Sequence, residues 1–263
     1  MNEDRRKVAV VTGANGAIGQ AICMGMVRHG YEVVMVCRDL ERGRNAADRV
    51  ALAESSAIVR TEIVDLSRKT DIEAFAQRWK GPLTVLINNA ASAPGQRRET
   101  PEGLEVEFAT NVLSYVWMMR AFEKFLRASA PARVVNVASY WAGDLDLTDL
   151  QFKRRPYDNN LAYRQSKQAN RMLTVAFAQH WPAREITVNS CHPGDAPSTL
   201  SHALGFGGSQ SAEQAADTPV WLATDPSLAG TTGKYFARRK EQVCEFAKDR
   251  QGIAALYDLC GTF

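Results

Sequence analysis

The stretch LAYRQSKQAN places Tyr163 and Lys167 four residues apart inside a helical pattern, so both fall on one face. A tyrosine hydroxyl gives up its proton near pH ~10, too high for useful base work. A neighbouring lysine cation favours the phenolate and lowers that value. The pair can then exchange a proton with an alcohol or carbonyl oxygen while a dinucleotide carries hydride. An exposed helix pair with no chemistry would read the same way, so the surroundings matter. RVVNVAS ends an apolar run at Ser139, whose hydroxyl can hydrogen-bond a reacting oxygen. Asn111, in FATNVLSYV, is polar within an apolar stretch. It reads either as a satisfied core amide or as a residue whose carbonyl holds a relay water for Lys167.

A second group of residues could hold a dinucleotide. TGANGAIG (12–19) follows the apolar run VAVV and opens a helix-period segment, the context of a phosphate-binding turn. Gly13, Asn15, Gly16, Ala17, Ile18 and Gly19 would then face the pyrophosphate. A tight turn with no ligand is the plain alternative. In VVMVCRDL, Arg38 follows the second run, where arginine accepts a 2′-phosphate and an acid would hold ribose hydroxyls. This favours NADP(H) over NAD(H), with Asp39 turned away; Arg38 as a surface partner of Asp39 or Glu41 is the alternative. Asp65 and Leu66, in IVDLS, are expected near the adenine, although Asp65 could instead cap the helix over 67–79. INNAAS then supplies Asn89, Ala90 and Ala91, with little bulk near a cofactor and amides that can tie strands together.

These residues need a scaffold, and the pattern predicts one. Short β-branched runs at 8–11, 32–37, 57–64, 84–88, 133–138 and 186–191 mostly lack polar alternation, as strands buried on both faces do. Helical stretches alternate with them, the longest at 102–128 and 160–181. The predicted fold class is α/β, a Rossmann-type doubly wound parallel sheet of about seven strands with helices on both faces. Residues 1–263 read as one domain. Ligands bind beyond the carboxyl ends of such strands, which is where every motif above falls.

Taken in order, TGANGAIG, VCRD, VDLS, NNAA, TNV, NVAS, YRQSK and HPG resemble the short-chain dehydrogenase/reductase family, across almost the whole chain. The resemblance implies Asn111, Ser139, Tyr163 and Lys167 as a catalytic tetrad. Tyr163 would be the acid/base, Lys167 would lower its pKa and hold the nicotinamide ribose, and Ser139 would orient the carbonyl. Pro193, Gly194 and Ser198 of HPGDAPST match the segment that holds the nicotinamide carboxamide, with Asp195 and Pro197 unusual there. Between Ser139 and Tyr163, the insertion WAGDLDLTDLQFKRRPYDNN resembles the single-domain, retinol-dehydrogenase-like and WW-domain-oxidoreductase-like branch. Many such relatives carry a membrane anchor before the first strand. None is expected here, so retinoid activity does not follow.

The glycine spacing at 13, 16 and 19 is that of longer, two-part family members, and Ala17 stands where the common turn has glycine. Gly16 is expected to supply the lost positive-φ freedom one position earlier. Residues 199–212 are expected to form a substrate lid, with Leu200, Leu204 and Phe206 over an apolar carbonyl or alcohol substrate. Trp141 and Tyr157 are expected on the opposite wall. Helices 102–128 and 160–181 are candidate homodimer faces, carrying Tyr115, Trp117 and Met118.

Bulk properties narrow the classes. The net charge of +3, with RRK (5–7), KRR (153–155) and RRK (238–240) scattered, does not suggest nucleic acid. No apolar run nears the ~18 residues of a membrane span, and MNEDRRK lacks a signal peptide's apolar middle. Five cysteines, two in apolar runs, fit a reducing, cytoplasmic setting. His192 and His202 lack partners at metal-ligand spacing, so no metal is expected. The leading reading is an NADP(H)-dependent oxidoreductase acting on CH–OH/C=O groups. The rivals are a cofactor-binding scaffold or regulator with little turnover, and a reductase of an activated C=C bond.

Overall fold

A computed structural model describes residues 7–54 and 57–263. Arg5 and Arg6, of the first basic run, lie outside them. In chain order the elements begin β1 (Val8–Thr12), α1 (Ala17–Arg28), β2 (Glu32–Cys37), α2 (Leu40–Ala53), β3 (Val59–Ile63), α3 (Lys69–Arg78) and β4 (Val85–Asn88). Then come α4 (Val106–Phe108), a π-helical turn at Ala109–Leu113, α5 (Ser114–Ala128), β5 (Ala132–Val137), α6 (Asn159–His180) and β6 (Ile186–His192). The chain continues with α7 (Thr199–Ala203), α8 (Ala212–Thr224), β7 (Tyr235–Ala237), β8 (Lys240–Gln242) and α9 (Arg250–Gly261).

The strands make one sheet of order β3-β2-β1-β4-β5-β6-β7-β8. Its pairs are parallel except β7–β8. The order reverses between β1 and β4, the topological switch point where ligands bind in such sheets. β1, β2 and β4 are buried on both faces, as their unbroken apolar runs require. β3 differs from the expectation: its residues are half-buried or exposed because it is the sheet's edge.

Two apolar layers flank the sheet. On one side α1, α2 and α8 pack over Val11, Val33 and Ile87; on the other α3, α5, α6 and α9 pack over Val10, Val34 and Leu86. In the second layer Phe122 is fully buried, with its ring 4.9 Å from Phe75 and 5.5 Å from Trp79. Phe122→Ala is therefore expected to cost about 3–5 kcal/mol, read as a lower midpoint in chemical denaturation. A loss under 1 kcal/mol would mean that this aromatic cluster closes over the gap.

Three expectations need correcting. Among the described residues the sheet has eight strands where about seven were expected, because β8 is three exposed polar residues without an apolar signal. Its hairpin turn is carried by Arg238 and Arg239 at φ 50° and 56°, where Asn-Gly would be usual. The helix expected over 102–128 starts only at Val106 and passes through a π-turn at Asn111. Tyr115, Trp117 and Met118 are not on an outer face: all are buried, in the same layer as Ile253, Leu256 and Cys260 of α9. Trp117 Nε1 also donates to the Phe263 carbonyl at 3.3 Å. The chain's own C-terminal helix thus shares the layer assigned to a partner.

Candidate active site

The turn after β1 is held by Thr12. Its hydroxyl accepts from the N–H of Asn89 at 2.8 Å and of Ala90 at 3.1 Å, tying the end of β1 to the loop after β4. Asn89 Nδ2 returns a bond to the Thr12 carbonyl at 2.9 Å. Asn88 reaches across to Asn136 on β5 at 3.0 Å. The amides of INNAAS therefore tie strands together, as expected.

Gly13 has φ +63°, and a Cβ there would stand 2.8 Å from Ala90 Cα. A Cβ on Gly19 would stand 2.3 Å from the Gly13 carbonyl. Gly16 does not take over a positive-φ role: it is extended at φ −77° as the N-cap of α1, and Ala17 is simply that helix's first residue. The left-handed residue is Gly13, so alanine at 17 costs the turn nothing. Helix α1 then presents its free N–H groups at this turn, and the glycines leave a cradle that side chains would fill.

Arg38 follows β2 directly and is exposed. Its side chain has no partner among the described residues. Asp39 is the N-cap of α2, accepting from Arg42 N at 2.8 Å. Asp65 does not cap α3, which begins at Lys69 after Arg68. Its carboxylate instead takes the N–H and hydroxyl of Ser67, at 3.0 and 2.7 Å. Leu66 beside it is buried.

A cleft of about 660 Å³, open to solvent, lies beyond β4, β5 and β6. It gathers Ser139, Tyr163 and Lys167 with Ile18, Asn89, Ala91, Pro193, Gly194 and Ser198. Leu200, Leu204, Phe206 and Trp141 add apolar walls, with Phe206 edge-on to Trp141 at 5.0 Å. Gly13, Asn15, Gly16, Ala17, Gly19, Arg38, Asp65, Leu66 and Ala90 do not line it; Arg38, Asp65 and Leu66 sit past the ends of β2 and β3. Tyr157 does not line it either. Its hydroxyl is turned to Glu107 Oε2 at 2.8 Å and Pro94 O at 3.2 Å. Ser198 lines the cleft but spends its hydroxyl capping α7, accepting from Ser201 N at 3.0 Å. The backbone of Asp195 anchors Ser209 and Gln210 at 2.8 and 2.9 Å.

Tyr163 and Lys167 are both buried, 8% and 1% exposed. Lys167 Nζ donates to the Val137 carbonyl at 3.1 Å and stands 5.4 Å from the Tyr163 ring centre. Burial pushes the lysine down to about 8, with Glu107 and Cys191 opposing. Tyr163 is pushed up from the usual phenol range, chiefly by burial; Ser139 works against this through a hydrogen bond, and Glu107, Tyr140 and Asp195 add to it. Burial thus dominates, and Ser139 is the neighbour that favours the phenolate. Ser139 Oγ accepts from Trp141 N at 3.1 Å, which leaves its own proton to give.

Asn111 does not line the cleft. Its side chain is a satisfied core amide: it accepts from Ser92 N at 2.7 Å and donates toward Ser92 O, Glu107 Oε1 and Ser166 Oγ at 2.9, 3.2 and 3.2 Å. The π-turn marks its place in the helix, a distortion frequent at functional sites.

His192 lines the cleft with its ring 4.7 Å from Tyr140, edge-on. Burial first, then Arg171 and Arg238, push it down to about 4. No cluster of three or more His, Cys, Asp or Glu suited to a metal occurs among the described residues. No described helix is long and apolar enough to cross a membrane. In the KRR run Lys153 and Arg154 are exposed and Arg155 is half-buried, while the backbone N–H groups of all three bond the Asp149 carboxylate at 2.7, 3.1 and 3.2 Å.

Sequence reasoning missed Glu107. It is fully buried and bonded to Asn111, one helical turn on. The only signal was its i, i+4 spacing to Asn111, which a solvated helix face also produces.

Known proteins resemble this chain in sequence and fold. A family model described as short chain dehydrogenase matches residues 7–205. The chain is 33% identical to a probable oxidoreductase of Streptomyces antibioticus, over 95% of this chain and 91% of that one. It is 30% identical to retinol dehydrogenase 13 of Mus musculus, over 90% and 77%. Among solved structures, the Pseudomonas aeruginosa RhlG/NADP active-site complex is similar at TM-score 0.70 and 25% identity, covering 89% of this chain and 94% of that one.

Proposed function

The chain belongs to the short-chain dehydrogenase family, and from that premise we propose an NADP(H)-dependent oxidoreductase that interconverts a carbonyl and an alcohol. The carrying observation is one cleft that brings Ser139, Tyr163 and Lys167 together with Asn89, Pro193 and Gly194 beyond the strand ends. When bound, the nicotinamide supplies or accepts the hydride. Tyr163 gives or takes the proton at the substrate oxygen, and Ser139 donates to that oxygen and fixes its direction. Lys167, held by the Val137 carbonyl, steadies the charge that comes and goes on Tyr163. Leu200, Leu204, Phe206 and Trp141 favour an apolar substrate and exclude water, with 199–212 as the lid. Gly13, Asn15, Gly16, Ala17, Ile18 and Gly19 would cradle the pyrophosphate, Asp65 and Leu66 would flank the adenine, and Ser198 would meet the carboxamide through its backbone.

The test is to follow NADPH and NADH absorbance with hexanal, benzaldehyde, acetophenone and cyclohexenone. Turnover of the first three supports carbonyl chemistry. Turnover of the enone with a saturated ketone as product would move the reading to C=C reduction. Tight NADPH binding with no turnover would favour a cofactor-binding scaffold.

Cofactor choice rests on Arg38. It is exposed and its side chain has no partner among the described residues, and guanidinium is suited to bidentate contact with phosphate. Arg38→Asp is expected to weaken NADPH binding roughly 10- to 100-fold while leaving or improving NADH binding. Equal losses for both cofactors, measured by fluorescence titration, would remove Arg38 from this role.

A further inference from the structure

Among the described residues that line the cleft, Asp195 is the one acid. Its backbone is clamped by the far end of the lid segment. The Asp195 N–H donates to Gln210 Oε1 at 3.0 Å, and its carbonyl accepts from Ser209 N and Gln210 N at 2.8 and 2.9 Å. The carboxylate, in contrast, is not held. No hydrogen bond or ion pair engages it among the described residues. It is half-buried, and its charge bears on the Tyr163 hydroxyl.

Lys167, Arg164 and Arg171 of α6 are engaged elsewhere. Lys167 Nζ donates to the Val137 carbonyl at 3.1 Å. Arg164 lies 5.9 Å from the Trp141 ring centre and is paired with Asp144 at 2.7 Å. Arg171 donates to the Ser139 carbonyl and stacks on the Tyr235 ring at 3.6 Å. His192, held down chiefly by burial, is uncharged at neutral pH. Water can hydrate the carboxylate while the cleft stands open. A substrate that fills the cleft displaces that water, and a charge left dry and unpaired is costly. A neutral apolar ligand leaves that cost in place, and an anionic one is repelled. A cationic group removes it. The aromatic wall suits the same charge. Trp141 and Phe206 stand at a right angle with ring centres 5.0 Å apart, and Tyr163 lies 6.1 Å from Trp141. Aromatic faces attract protonated and quaternary amines.

We propose that the cleft takes substrates whose apolar body carries a cationic amine as well as the reacting carbonyl or alcohol, with Asp195 pairing the ammonium and Trp141 and Phe206 flanking it. This rests on the carbonyl–alcohol chemistry proposed above. The amine itself is unchanged in the reaction. In the reducing direction the carbonyl carbon takes hydride from the nicotinamide, the carbonyl oxygen takes the Tyr163 proton, and no C–N bond forms or breaks. Asp195 and Trp141 determine which substrate enters, and neither exchanges a proton with it.

The experiment compares two aldehydes of matched size and shape, para-(trimethylammoniomethyl)benzaldehyde and para-neopentylbenzaldehyde, which differ in charge. With saturating cofactor, the full-length wild type should favour the cation about tenfold or more in kcat/KM, chiefly through KM. In Asp195→Asn the ratio of the two kcat/KM values should fall toward one. The ratio is the proper readout because Asp195 also bears on Tyr163. That effect, like any effect on the cofactor, falls on both aldehydes alike and cancels. Trp141→Leu leaves the carboxylate in place and removes one aromatic wall, so it should lower the same ratio. It decides the matter if Asp195→Asn does not fold.

A wild-type ratio near or below one, or a ratio that Asp195→Asn leaves unchanged, overturns the cationic substrate alone. So does turnover of hexanal, benzaldehyde or acetophenone by a wild type that does not accept the cationic aldehyde. In each of these cases the carbonyl–alcohol reaction stands. No wild-type turnover on either aldehyde of the pair or on any carbonyl of the panel overturns the reaction and the substrate class with it.

Discussion

Tyr163→Phe is expected to fold, to bind NADPH with near wild-type affinity, and to turn over about 1,000-fold more slowly, in the range for losing a positioned acid/base group. The substitution removes one oxygen. The ring remains buried, 6.1 Å from the Trp141 ring, so packing is kept. Ser139 still offers its hydroxyl, and the residual rate reports what that orientation alone contributes. Single-turnover absorbance at fixed NADPH separates this from a binding defect. A residual rate within tenfold of wild type would take the acid/base role away from Tyr163.

Gly13→Ala is the second large effect, on stability and cofactor together. The left-handed conformation costs an L-residue roughly 1–2 kcal/mol. The new Cβ would also meet backbone, at 2.8 Å from Ala90 Cα and 3.2 Å from Ala90 N. Ala90 cannot easily retreat, because its N–H is bound to the Thr12 hydroxyl. Overpacking adds about 1–3 kcal/mol, for a total of about 2–5 kcal/mol. NADPH affinity should drop about tenfold or more, since the cradle itself shifts. Gly30→Ala is the matched control: φ is +77° there and nothing lies within 4 Å of the added Cβ. It bears only the conformational cost. If denaturation finds the two variants equal, the close approach to Ala90 is not what requires glycine at 13.

How far the sequence reveals this protein depends on which physical signal each part carries. β1, β2 and β4 are apolar throughout because both their faces are covered, and such runs are visible in one dimension. β8 is three charged or polar residues held by a neighbour's backbone, which leaves no side-chain pattern to read. The Tyr163–Lys167 pair is local, four residues within one helix, and so is legible. Glu107 is not, because its burial depends on elements dozens of residues away, with Tyr157 as its outer contact. The same limit explains Tyr115, Trp117 and Met118. An apolar helix face must be covered by something, but periodicity does not say whether by a partner or by α9.

Arg38 and Asp39 are adjacent in sequence and opposite in circumstance. Asp39 is committed to the first turn of α2, so replacing it costs about 1 kcal/mol whatever the cofactor. The Arg38 side chain has no partner among the described residues. On the proposed reading, the residue that selects the cofactor is therefore free to drift: a lineage could exchange one dinucleotide for another by a substitution at 38 without first accumulating stabilising changes elsewhere. Redox coupling in such a protein can follow the metabolism of its host, while the next residue along the backbone stays under unrelated selection for folding.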